Sequence, residues 1–106
     1  MKLCDLTDLE ATGAFGIECD GVEYLVVREP GATTPQVYYN SCPHLGIALE
    51  IREHEFLDAD QKFIVCANHG ALFQIEDGLC IAGPCQNQSL KPAPHKVDQG
   101  SVFLTV

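Results

Sequence analysis

Two short segments of this 106-residue chain carry residue types that bind metals: Cys42-Pro43-His44-Leu45-Gly46 and Cys66-Ala67-Asn68-His69-Gly70. Each offers one thiolate and one imidazole within a tight loop. Two Cys and two His make an S₂N₂ donor set, which suits a tetrahedral zinc or an iron–sulfur centre with mixed ligation. Structural zinc sites usually carry like pairs, C-x₂₋₄-C and H-x₃₋₅-H. Here the pairs are mixed: C-x-H, a 21-residue spacer from 45 to 65, then C-x₂-H. A zinc-stabilised binding module with no redox role stays open beside the iron–sulfur reading.

These mixed pairs, with Leu45-Gly46 continuing the first loop and Gly70 turning the second, resemble the cluster motifs of small Rieske ferredoxins. The resemblance extends over nearly the whole chain. In a Rieske centre two Cys hold one iron of a [2Fe–2S] cluster and two His hold the other. The resemblance therefore implies Cys42 and Cys66 as thiolate ligands, His44 and His69 as imidazole ligands, and one cluster per chain. It also implies that Gly83-Pro84 belongs to a third, proline-bearing loop that shields the cluster from water. The expected function is a one-electron carrier between a reductase and an oxygenase or another acceptor. Such a carrier is a component of an oxidoreductase system rather than a catalyst by itself. An accessory or redox-sensing subunit of a larger enzyme is the runner-up.

Members of this family with high potential tend to carry Ser directly after the second His-Gly and Tyr two residues beyond. This chain has Ala71 and Phe73 there, and neither donates a side-chain hydrogen bond. Hydrogen bonds to a cluster raise its potential, so a low potential is expected. The disulfide that joins the two loops in respiratory-type members would fall at Ile47 and Asn68, and neither is Cys.

The elements that must position these loops read as strands. Phe15–Glu18, Val22–Arg28, Gln36–Asn40, Lys62–Cys66, Ala71–Ile75 and Ser101–Val106 are rich in β-branched and aromatic residues. Asp20-Gly21, Asp77-Gly78 and Gln99-Gly100 punctuate them as turns. Ile47–Leu57 has room for a short helical turn, and Pro92 and Pro94 mark an irregular approach to the end. Many short strands with frequent turns predict an all-β antiparallel sandwich or barrel. The length suits one domain, residues 1–106. The resemblance adds a small cluster-binding subdomain at about 40–83.

The formal charge of −9 argues against nucleic acid, whose phosphates need basic partners. It fits a protein steered toward basic surfaces of redox partners. The acidic stretch around His54 (Glu50, Glu53, Glu55, Asp58, Asp60) reads either as a docking face or as a solvated loop. No apolar run reaches membrane-spanning length, and Met1–Asp5 does not read as a signal peptide. Cytoplasm and a monomer are the default expectations. Six Cys in a reducing compartment favour thiols over a disulfide scaffold. Cys4 and Cys19 are expected in the core, and His95 facing solvent. Cys80 and Cys85 are open between thiols, a disulfide and a redox-active pair.

Overall fold

The run Val22-Glu23-Tyr24-Leu25-Val26-Val27 becomes the central strand of the molecule, and its side chains explain the layering. The structure is a computed structural model that describes residues 1–10, 12–41, 49, 54–66 and 70–105. In chain order the elements are β1 (Lys2–Asp5), a 3₁₀ turn (Leu6–Leu9), β2 (Ala14–Cys19), β3 (Val22–Val27) and β4 (Gln36–Tyr39). There follow β5 (Phe63–Cys66), β6 (Ala71–Gln74), β7 (Cys80–Ala82), β8 (His95–Asp98) and β9 (Ser101–Leu104).

The strands form three antiparallel three-stranded sheets: β1-β9-β8, β2-β3-β4 and β5-β6-β7. Strand side chains alternate between faces. On β3, Tyr24 and Val26 enter one core with Leu3, Val37 and Val102. Leu25 and Val27 enter the other, with Tyr38, Ile64 and Phe73. The middle sheet is thus covered on both faces, by the terminal sheet on one and the β5-β6-β7 sheet on the other. This double coverage is why β3 reads as a continuous apolar run rather than an alternating one.

The hairpins obey local turn chemistry. Asp20 and Gly21 have φ of 53° and 79° between the paired Cys19 and Val22. Gln99 and Gly100 repeat this between Asp98 and Ser101, with φ of 50° and 79°. Two consecutive positive φ values suit the type I′ turn, whose twist matches that of the strands. Gly78 is demanded by packing as well: a Cβ there would lie 2.9 Å from the Tyr38 ring. The Tyr38 hydroxyl, buried, donates to the Ile75 carbonyl at 2.6 Å and joins the middle sheet to the third.

All six strands expected from the sequence are present, within two residues at each end. β1, β7 and β8 were not expected: β1 and β8 carry charged residues and no apolar run, and β7 is only three residues long. Most of Ile47–Leu57 lies outside the described residues. Its described end holds a turn at His54 and a bridge from Leu57 to Ile64, without helix. Cys4 is buried as expected, but Cys19, near the tip of the β2-β3 hairpin, is half-exposed and only flanks the core. Burial, helped by Asp8 and Asp5, pushes the Cys4 thiol up to about 12.

Candidate metal centre

The β5-β6 hairpin presents one expected ligand at its head. Its register runs from Phe63 opposite Gln74 to Cys66 opposite Ala71. Residues 67–70 therefore form the connection. Gly70, with φ of 66°, closes it by donating its N–H to the Cys66 carbonyl at 2.8 Å. Strand alternation buries Ile64 and Cys66 and leaves Phe63 and Val65 half-buried. The Cys66 side chain consequently belongs to the core shared with the middle sheet. Below the hairpin, the Asp58 carboxylate accepts the backbone N–H groups of Lys62 and Phe63 at 2.8 and 3.1 Å. Asp58 therefore helps to set the start of β5, a structural role for one member of the acidic stretch.

Cys42, His44 and His69 lie outside the described residues, as do Ile47 and Asn68. The ends of the first candidate ligand segment are described, and they reveal a residue that sequence reasoning missed. Asn40 is 5% exposed and accepts the Leu49 N–H through Oδ1 at 2.9 Å. Its own N–H donates to the Glu23 carbonyl at 2.9 Å. Asn40 thus ties both ends of the 41–48 segment to the edge of the middle sheet. An Asn at a strand end, two residues before a candidate ligand, was the available signal.

The expected third loop follows β7. Ala82 pairs with Leu72, so Gly83 runs beside Ala71, the residue after the second candidate ligand segment. Gly83 has φ of 99°, and a Cβ there would stand 2.8 Å from Ala71 Cα and 3.0 Å from Ala71 Cβ. Only glycine allows both that backbone conformation and that approach. Next to it, Cys80 and Cys85 bring their sulfurs to 2.8 Å.

His54 and His95 do not join this site. His54 Nδ1 accepts the Gly16 N–H at 3.0 Å, and its ring stacks on Phe15. The His54 ring is thus packed on β2, while Glu50 and Glu53 of the acidic stretch lie outside the described residues and Glu55 and Asp60 are exposed. His95 is half-buried on β8, with Nδ1 3.0 Å from the Ala93 carbonyl, rather than fully solvent-facing. Among the described residues, no group of three or more His, Cys, Asp or Glu could hold a metal ion. What is described nonetheless fits a cluster of iron and sulfide. A soft thiol donor, Cys66, stands buried at the hairpin head opposite the small Ala71, against which Gly83 packs.

Comparison with known proteins places this geometry. A family model described as Rieske [2Fe-2S] domain matches residues 1–99. Among solved structures, the chain is similar to the ferredoxin of carbazole 1,9a-dioxygenase from Nocardioides aromaticivorans IC177. The two are 22% identical with a TM-score of 0.75, over 98% of this chain and 94% of that one. It is similar to the Sphingomonas yanoikuyae B1 ferredoxin at 24% identity and a TM-score of 0.76, over 98% and 95% of the two chains. A third structure is a complex of reduced oxygenase and oxidized ferredoxin in carbazole 1,9a-dioxygenase. It matches at 21% identity and a TM-score of 0.76, over 99% of this chain and 100% of that one. Likeness at these identities establishes the shared fold. No curated protein matches the chain.

Proposed function

The chain belongs to the Rieske [2Fe–2S] domain family, and on that premise we propose that it is a one-electron carrier between a reductase and an oxygenase. The observation that carries this reading is the end-to-end match to ferredoxins of dioxygenase systems, over 98% of this chain and 94% of the first. A neighbour of the same size is held in a complex with its oxygenase. The family's [2Fe–2S] cluster, when bound, supplies reversible one-electron chemistry.

In this reading Cys42 and Cys66 hold the cluster by thiolate and His44 and His69 by imidazole. Cys66 is delivered from the buried end of β5. Asn40 and Leu49 hold the ends of the first ligand segment, and Gly70 turns the second. Gly83 and Pro84 exclude water beside Ala71. Ala71 and Phe73 are both fully buried and present no donor, which favours a low potential. Residues 1–106 act as one domain, with about 40–83 carrying the cluster. The net charge of −9 steers the protein toward basic partner surfaces. A cytoplasmic location accords with the thiol-rich composition. Among the described residues, no helix is long and apolar enough to cross a membrane.

The test is EPR of the anaerobically purified, dithionite-reduced protein, with iron, sulfide and zinc measured on the same sample. A Rieske-type signal, about two irons and two sulfides per chain, and reoxidation by an oxygenase support the reading. A colourless, EPR-silent protein with stoichiometric zinc would sink it.

A further inference from the structure

Cys80 and Cys85 stand outside the candidate ligand set, yet they are the described thiols brought closest together. Both are buried, and their Sγ atoms are 2.8 Å apart. The backbone enforces this meeting. Cys80 donates its N–H to the Gln88 carbonyl at 2.8 Å and accepts the Asn87 N–H at 3.2 Å. The returning segment is closed by Gln86 N–H to the Gly83 carbonyl at 3.3 Å and Gln88 N–H to the Cys85 carbonyl at 2.9 Å. The sulfurs therefore need only a small further approach to reach the bonded distance of about 2.05 Å. The four residues between them, Ile81-Ala82-Gly83-Pro84, are the loop whose Gly83 packs directly on Ala71.

We propose that Cys80 and Cys85 form a reversible thiol–disulfide switch that locks the Gly83-Pro84 loop against Ala71, with a low-molecular-weight disulfide as oxidant. Gly83 and Pro84 are exposed, so local opening of this loop gives the oxidant access to the sulfurs beneath. One cysteine thiolate attacks a sulfur of the small disulfide, breaks its S–S bond and expels one small thiolate. The second cysteine thiolate then attacks the protein sulfur of the mixed disulfide and expels the other. The Cys80–Cys85 bond is formed, the small disulfide is reduced to two thiols, and the two cysteine protons leave with them. A dithiol reverses the sequence.

The thiol chemistry stands apart from the cluster reading, whereas the effect of the lock on the cluster rests on it. The purified holoprotein is incubated with oxidised glutathione, unfolded in acid, alkylated and weighed by mass spectrometry. The expected product retains four alkylatable thiols of the six, with no glutathione attached at this pair. Dithiothreitol restores all six, and the Cys80→Ser/Cys85→Ser protein forms no internal bridge. Cys80→Ala alone serves as the control if the double variant does not fold. Six alkylated thiols after the treatment, or an internal bridge that persists in the control, would overturn the switch. The second readout is bleaching of the visible absorption by an iron chelator. It is expected to be several-fold slower after oxidation in the wild type and unchanged in the control. Bridge formation with unaltered bleaching would overturn the lock. A protein without iron would defeat the electron-carrier reading and leave the thiol count to decide the switch.

Discussion

The imidazole of His54 lies flat on the ring of Phe15, with centroids 4.2 Å apart and planes 12° from parallel. The same imidazole accepts the Gly16 N–H, and its carbonyl accepts the Thr12 hydroxyl at 2.9 Å. A residue set in an acidic stretch of sequence is thus a brace between the 54–57 segment and the start of β2. His54→Ala removes the stack and leaves the Gly16 N–H unpaired, at a cost of about 1–2 kcal/mol. Thermal melts should show the loss, while the salt dependence of reduction by a reductase stays the same. Slower reduction with an unchanged melt would assign His54 to a docking face instead.

Gly83→Ala should be costly for two separable reasons. The new Cβ meets Ala71 backbone at 2.8 Å, and alanine is strained at φ of 99°. Together these amount to roughly 2–4 kcal/mol. The expected outcome is a lower melting temperature together with reduced iron content. Gly31→Ala, with φ of 84° and open space around it, isolates the strain contribution.

Asn40→Ala leaves the buried Leu49 N–H without its Oδ1 acceptor, at a cost of about 1–3 kcal/mol. Because the bond closes the proposed first ligand segment, iron content should fall further than in a β1-β9-β8 variant of equal stability loss. Equal iron content in the two would mean that Asn40 only stabilises the fold.

Ala71→Ser places a hydroxyl at a fully buried position at the head of the β5-β6 hairpin. The wild-type midpoint is expected near the low end of the range of about −150 to +300 mV, and the serine should raise it. A redox titration of both proteins decides the matter. A wild-type midpoint well above zero contradicts the argument from missing donors.

Asp5 makes the acid behaviour of the terminal sheet predictable. The Lys2 ammonium at 2.8 Å, followed by the Ser101 hydroxyl at 2.6 Å, holds its carboxyl below the ordinary 3.8. A carboxylate depressed by folding contributes stability above its unfolded value, and that contribution is lost as pH falls through the folded value. Unfolding curves of the wild type and Asp5→Asn should therefore differ at pH 6, and the gap should begin to shrink near pH 3.8 and close only as pH falls through the lower folded value. A gap that persists at lower pH would assign the effect to packing instead.

What could be read from the chain alone was local. The spacing of Cys42 with His44 and of Cys66 with His69 named a donor set, and the Asp20-Gly21 and Gln99-Gly100 pairs marked their turns. Apolar runs such as Val22–Val27 marked strands, because burial selects residue types along a short stretch. β7 escaped because it is only three residues long and β8 because it lacks an apolar run, and pairing across the sheets makes them strands. The tertiary structure alone decided the relationships between distant positions. It placed His54 on Phe15, Gly83 on Ala71 and the Asn40 amide on Leu49. It also brought the sulfurs of Cys80 and Cys85 together and divided the apolar residues of β3 between two cores. Each of these depends on which segments the folded chain brings into contact, and no window of sequence carries that information.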